Sequence, residues 1–446
     1  MKEISFRDPS GYVYMEKEKL LRKIKIDKLN FFENLFSAEW FNELVEQKKI
    51  QKSKIVSKSN DYFVVEHEFY PFHVMPHEMC DYQLYKSALL TLDLAIKAFE
   101  NNLVIKDASA WNVFFIKSNP MFCDITSFEE WDENQNWFAY GQFYRHFIIP
   151  LILSKELDFD TSKLFTTNRD GFKPENASKL LGLKKYKSLV SFEGIVLPLL
   201  FNKKKIKVKK YSTNISKKIF AQTLNRLKNY IIKLEPIKKK TTWVDYETNR
   251  DHYSKQDMDD KYKFINEISQ KHFEDVLDLG CNEGEYSKIF EATGSNVVST
   301  DFDNGCLNEI CKSGKEKNLT VFKLDLSNPS PAIGWINKEH ESFLKRMEKK
   351  FDLVLCLGLI HHLQITERVP LINIIQMLEN LTRKDLVIEF ISNKDKKFIE
   401  LAGLNIELYE NYTQDSFEEI LEKKFILIKK MNFTGAKRTL YYLQIK

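Results

Sequence analysis

The chain has 446 residues, too many for one ordinary core and enough for two domains of about 200 residues each. Hydrophobic residues make up 43% of it and aromatics 13%, a globular rather than a disordered composition, and no apolar run approaches the roughly 20 residues of a membrane-spanning helix. The net charge of +5 conceals an asymmetry, since residues 1–240 carry 40 basic and 29 acidic side chains and the remainder 28 and 34.

From the N-terminus, MKEISFRDPSGYVY has no apolar stretch behind a basic start, which argues against secretion. Alternating segments near Tyr12 to Ile26 and Lys54 to Tyr70 predict hairpins, and the periodic stretch Tyr82 to Asn101 predicts a helix. The following segment, LVIKDASAWNVFFIKSNPMFCDITSFEEW, holds Asp107, Asn112 five residues on, and Asp124 at the end of an apolar strand. Protein kinases set a catalytic Asp, an Asn and a metal-binding Asp at similar distances, because the three converge on a hydroxyl, a phosphate and Mg²⁺. The spacing resembles a kinase-fold catalytic loop, and that resemblance implies a catalytic Asp107 with Asn112 and Asp124 as metal ligands for Mg-ATP. No Gly-rich phosphate loop precedes it, however, and no strand lysine with a helix glutamate partner can be picked out. An active phosphotransferase, a degenerate kinase-like α+β domain that recognises substrate or nucleotide, and a chance pattern all stay open, the second being favoured for residues 1–236.

Residues 161–240 hold 21 basic and 4 acidic side chains, among them KKKIKVKK at Lys203 to Lys210. A solvated lysine-rich face is the favoured reading; peripheral contact of 203–210 with an anionic membrane surface is an alternative. Nucleic acid is disfavoured, because Lys outnumbers the Arg that bidentate phosphate recognition prefers. EPIKKKTTW reads as a linker, with the boundary near 236 to 242 and a second domain over 237–446.

Beyond it, helical pattern and short apolar strands alternate. A helix is expected around Asp257 to Lys271, a strand at Asp275 to Leu279, a helix from Glu285 to Ala292 and a strand at Asn296 to Thr300. A helix from Gly305, a strand at Thr320 to Leu324, a helix through the 340s, a strand at Phe351 to Leu357, a helix from Pro370 and a strand at Asp385 to Phe390 follow. This alternation implies α/β architecture with a parallel sheet covered on both faces, closed by an antiparallel pair near Phe425 to Lys429 and Arg438 to Gln444.

In EDVLDLGCNEGEYSKIF a buried strand ends at Asp278 and a helix begins near Glu285. Gly280 and Gly284 let backbone approach a ligand, and Asn282 tolerates left-handed geometry where many such loops carry glycine. Asp301 ends the second strand, where a carboxylate can accept from two ribose hydroxyls, and Asp325 ends the third, where one can accept from an adenine amino group. The spacing is GxxxG rather than GxGxxG, which disfavours a nicotinamide cofactor. The motifs LDLGCNEGEYS, STDFD, FKLDLSNP and FDLVLCLGLIHHL resemble those of class I S-adenosylmethionine-dependent methyltransferases, a seven-stranded Rossmann-like fold. The resemblance implies that Asp278, Gly280, Asn282 and Gly284 line the methionine end, Asp301 the ribose and Asp325 the adenine, with Cys281 among the cofactor-binding residues. It implies too that Leu359 to His362 form the wall near the methyl group. His361 or His362 is a candidate general base, although shaping the pocket is the favoured role.

No (D/N)PP(Y/F) sequence follows the fourth strand, which lowers the case for adenine methylation. Tyr253, Tyr286, Trp335 and Arg438, with the insertion Pro329 to Glu348, are candidates to line an acceptor pocket. The order of segments from FRDPSGYVY through KDASAWNV to NYTQDSF resembles a bacterial methyltransferase family that includes a nodulation-associated protein of rhizobia. A cytoplasmic methyltransferase of a small-molecule, carbohydrate or lipid-linked acceptor is therefore expected, the six cysteines forming no CxxC pair. A bifunctional phosphotransferase-methyltransferase and a non-enzymatic cofactor- or nucleic-acid-binding protein are the alternatives.

Overall fold

A computed structural model describes residues 2–5, 7–132, 137, 139–201, 213–237, 241, 253–314 and 318–446; the lysine run 203–210 lies outside the described residues. Two compact units divide the chain. The first comprises Met1–Ile237 and Ala332–Glu341, the second Lys238–Pro331 and Ser342–Lys446. The first unit thus includes a ten-residue excursion of the later sequence.

In the first unit, β1 (Lys2–Ser5), β2 (Gly11–Glu16), β3 (Lys19–Lys25), β4 (Ser53–Lys58) and β5 (Tyr62–His67) form an antiparallel sheet ordered β1-β2-β3-β5-β4. Helices α1 (Leu29–Ser37) and α2 (Glu39–Glu46) lie between β3 and β4 in sequence. The long helix α3 (Asp81–Glu100) buries Leu84, Ala88, Leu92, Ala95 and Ala98, three or four residues apart on one face. At its N-terminus Asp81, 2% exposed, accepts from the hydroxyls of Ser154 and Thr161, a placement that the helix dipole favours for a carboxylate. Beyond α3, β6 (Leu103–Ile105) is followed by the hairpin of β7 (Val113–Ile116) and β8 (Asn119–Phe122), and β9 (Phe128–Glu130) returns to pair with β6. The helix Thr213–Lys233 packs on α3 through Phe220 stacked on Phe99, ring centroids 4.4 Å apart.

The segment Ala332–Glu341 closes on itself through a bridge between Ile333 and His340. Gly334 turns it with φ +90°, and a Cβ there would lie 2.5 Å from that of Glu339. Because these residues form a bridged loop, the helix expected through the 340s shrinks to Phe343–Met347.

In the second unit, β10 (Asp275–Leu279), β11 (Asn296–Asp301), β12 (Leu319–Lys323), β13 (Phe351–Cys356), β14 (Thr382–Ile391), β15 (Phe425–Asn432) and β16 (Arg438–Ile445) form a seven-stranded sheet. Its order is β12-β11-β10-β13-β14-β16-β15, parallel except for β16, which is antiparallel to both of its neighbours. The central strands read as continuous apolar runs because helices cover both faces, and all six residues of β13 are buried. The strand order reverses between β10 and β13, and the carboxyl ends of strands at such a reversal are where α/β sheets bind ligands. Among the described residues no helix is long and apolar enough to cross a membrane.

Candidate active site

At the carboxyl end of β10, Asp278 is 2% exposed and accepts from the Ser287 hydroxyl at 2.6 Å. Burial pushes its carboxyl up to about 6; the Ser287 bond works against the rise and the charge of Asp301 adds to it. The N–H groups of Gly280 and Cys281 both donate to the Thr300 carbonyl at 2.9 Å. The N–H groups of Asn282 and Asp303 donate to separate oxygens of Asp301, each at 2.9 Å. The loop after β10 is thereby pinned to the end of β11. Burial holds the Asp301 carboxyl above its ordinary range, against the pull of those two N–H groups.

Gly280 has φ +70°, which strains any residue with a Cβ, and a Cβ on it would lie 3.3 Å from Cδ1 of Leu359 and press on that side chain. Asn282 takes φ +53°, and its Oδ1 accepts from the Glu283 N–H at 2.7 Å. Gly284 donates to the Cys281 carbonyl and opens the helix Glu285–Ala292. Cys281 is buried, and burial drives its thiol far upward, so it remains protonated. Asp325 differs from the other acids: it is exposed and its carboxylate accepts from the N–H and hydroxyl of Ser327.

His361 and His362 follow β13, with ring centroids 4.1 Å apart. Burial, then the charge of Arg438, lowers His362 to about 4, so its imidazole is neutral at pH 7 and a weak proton acceptor.

Sequence reasoning missed Glu389 on β14. It is fully buried and accepts from Lys261 Nζ at 2.7 Å and from the Tyr253 hydroxyl, with Arg438 3.8 Å away. Arg438 in turn holds Asp395 through two N–H bonds of 2.9 and 3.1 Å. Burial alone would raise the Glu389 carboxyl; Lys261 and Arg438 outweigh it and hold the group below its ordinary range. A carboxylate within the apolar run LVIEF was the available signal, since a buried charge must be paired. Tyr253 and Arg438 thus belong to one ionic cluster, and the Tyr286 ring lies 5.3 Å from Lys261 Nζ. Trp335 is 61% exposed and belongs to the first unit.

In the first unit, Asp107, Asn112 and Asp124 line one cavity of about 500 Å³. Asn112 donates to the Asp107 carbonyl at 3.1 Å and to the Ser127 hydroxyl at 3.2 Å. Asp124 is engaged by its own neighbours. One oxygen accepts from Thr126 and lies 2.7 Å from the Arg22 guanidinium, and the other accepts from Ser127 at 2.6 Å. Burial would raise the Asp124 carboxyl, yet Arg22 and these hydroxyls hold it low. Arg22, on β3, is the partner that sequence reasoning could not pick out. A divalent cation about 4 Å from that guanidinium would meet a repulsion of about 8 kcal/mol at an effective dielectric near 20, which its attraction to the Asp107 and Asp124 carboxylates would have to offset. Among the described residues no cluster of His, Cys, Asp and Glu is arranged to hold a metal ion. With both Asp124 oxygens engaged by protein groups, nothing at this cavity supports a bound Mg-ATP.

The site after β10 fits S-adenosylmethionine. Asp278 offers a buried carboxylate to an ammonium group, and each oxygen of Asp301 has spent one acceptor position on an N–H, leaving another for a ribose hydroxyl. Residues 246–423 match a family model described as a methyltransferase domain. The chain is an S-adenosylmethionine-dependent methyltransferase with a class I, Rossmann-like domain. Over 98% of its length it is 27% identical to the nodulation protein NoeA of Rhizobium meliloti, of which 94% is covered. Among solved structures it is similar to the N-methyltransferase NodS of Bradyrhizobium japonicum, at 12% identity over 43% of this chain and 98% of NodS, TM-score 0.32. The bifunctional kinase-methyltransferase WbdD is 16% identical over 42% of this chain and 38% of its own, TM-score 0.29.

Proposed function

We propose that the loop after β10, with Asp301 and Leu359, binds S-adenosylmethionine, and that the acceptor is a small molecule or a carbohydrate- or lipid-linked compound. The cofactor supplies a methyl group already activated on a sulfonium, so the protein's task is alignment of an acceptor atom rather than activation of the donor. Asp278 holds the ammonium end, which draws its raised carboxyl back toward ionisation. Asp301 takes the ribose hydroxyls, and Leu359 packs over Gly280 as the wall beside the reacting group. His362, neutral at pH 7, shapes that wall and takes no proton. The first unit, with its order of five-stranded sheet, long helix and paired hairpins, is read as a kinase-like domain that recognises a ligand without phosphotransfer. No disulfide links any of the six cysteines, which supports a reducing, cytoplasmic setting.

The observation that carries the cofactor reading is the double anchoring of Asp301 to the loop that starts at Gly280. Calorimetry with S-adenosylhomocysteine tests it. Asp301→Ala should lower affinity at least a hundredfold, because an aliphatic side chain accepts neither the hydroxyls nor the two N–H groups; unchanged affinity refutes the assignment.

A further inference from the structure

The cavity of the first unit differs from a nucleotide-metal site in charge. Arg22 occupies Asp124, the carboxylate that a cation would need. Arg7 and Arg169 are both turned onto Glu339, at 2.7 and 3.2 Å, and Glu339 is only 5% exposed at its side chain. Lys106 acts on the neighbouring Asp107. Five carboxylates and four cationic side chains line the space, so a polyphosphate would enter a cavity whose own side chains carry no surplus positive charge.

What the cavity does offer is flat apolar surface beside uncharged polar groups. Tyr70, Trp111 and Phe114 contribute rings, and Asn112 and Gln142 contribute amides next to the Asp107 carboxyl. The Trp111 ring is held rigidly, stacked on His340 at 5.0 Å and 16° and donating from Nε1 to the Arg169 carbonyl at 2.8 Å. His67 adds a second, independent sign of an absent partner. It is 4% exposed and lines the cavity, its Nδ1 is bonded to the Ser53 hydroxyl at 2.7 Å, and its Nε2 is buried with no hydrogen-bond partner among the described residues. A buried polar nitrogen of this kind costs free energy unless a ligand or water meets it.

We infer that this cavity is a metal-independent binding site for an uncharged, hydroxyl-bearing ring compound, a glycoside or a nucleoside, with the Arg22–Asp124 pair standing permanently where a nucleotide-bound cation would sit. Ring hydroxyls pair with Asp107, Asn112 and His67, and the apolar face of the ring lies against the aromatic wall. The inference deepens the reading of the first unit as a recognition domain and is independent of the cofactor site.

The test uses the full chain saturated with S-adenosylhomocysteine, so that no nucleoside can report on the cofactor site; failure of that saturation refutes the cofactor reading and leaves this one untouched. Calorimetry is run with Mg²⁺ and ATP, with a panel of uncharged methyl glycosides and oligosaccharides, and with adenosine, guanosine, cytidine and uridine, each with and without EDTA. Mn²⁺ binding is followed separately by electron paramagnetic resonance. Saturable binding of an uncharged compound, unaffected by EDTA and weakened at least tenfold by Asp107→Asn, is expected, and whether sugar or nucleoside responds identifies the source. A panel with no uncharged ligand overturns the proposal. So does one Mn²⁺ or Mg-ATP site per chain that Asp124→Asn removes.

Discussion

Replacing Glu389 by Gln removes the negative charge at the centre of a cluster in which every charged member is at most 6% exposed. In the native protein Lys261 and Arg438 are balanced by Glu389 and Asp395. After the substitution two cations share one carboxylate, and that carboxylate, Asp395, is already engaged bidentately by Arg438. Lys261 loses the carboxylate 2.7 Å from its ammonium while remaining buried. Removing one partner of a buried pair typically costs about 3–5 kcal/mol. For a unit of this size each kcal/mol lowers Tm by about 2–4 °C, so a fall of about 6–20 °C is expected. Urea unfolding followed by circular dichroism at pH 7 reads the same loss as a lower midpoint at unchanged slope. Neutral pH is the right condition, because Glu389 is held below its ordinary pKa and its stabilisation is present above that ordinary value, fading as pH falls through the folded one. The double variant Lys261→Met with Glu389→Gln restores charge balance and should be more stable than Glu389→Gln alone. A double variant as unstable as the single one, or a single variant costing under about 1 kcal/mol, refutes the argument.

Gly280→Ala should raise the dissociation constant for S-adenosylhomocysteine and lower Tm together, since alanine at φ +70° costs about 1–2 kcal/mol and its Cβ would press on Leu359; wild-type values for both would show the loop to be tolerant. His67, His146 and His362 are lowered to about 3, 3 and 4, chiefly by burial. Because unfolded histidines bind protons near pH 6.5 and these folded ones do not, stability should fall as pH drops from 6.5 toward 4, and His362→Asn should shallow that slope in equilibrium unfolding; an unchanged slope counts against a buried neutral ring. The methyl-transfer rate should show no inflection that His362→Asn removes between pH 6 and 8, which a pH-rate profile would check.

Much of the second unit was legible because its cues are local. The helix Glu285–Ala292 and the strand Asp275–Leu279 lie where apolar runs, a turn glycine and an acidic first turn place them. Asn282 could be expected in left-handed geometry from its chemistry alone, and the structure gives it φ +53°. Arg22 was not legible. In KLLRKIK it looks like one more cation on a polar strand, and its partners Asp124 and Thr126 are about a hundred residues away, a separation that leaves no periodic trace. Asp325 was placed by its position at the end of a strand, but the turn in which its Oδ1 accepts from the N–H and hydroxyl of Ser327 is set by backbone geometry within two residues and leaves no such cue. The allegiance of Ala332–Glu341 to the first unit rests on Glu339 and His340 meeting Arg7, Arg169 and Trp111, contacts that tertiary folding alone creates.

That excursion sets an order of events during synthesis. Domains commonly fold as they emerge, the N-terminal one first. Here the ion pair of Arg7 with Glu339 spans 332 positions, so the ribosome has already made β10, β11 and β12 before the first unit can acquire its last piece. A chain cut after Ile237 would expose the Trp111 ring and leave Arg7 and Arg169 without Glu339, and a chain begun there would carry Glu339 and His340 with nothing to meet. The first unit is contiguous in space and split in time, and its maturation waits on the methyltransferase sequence that follows it.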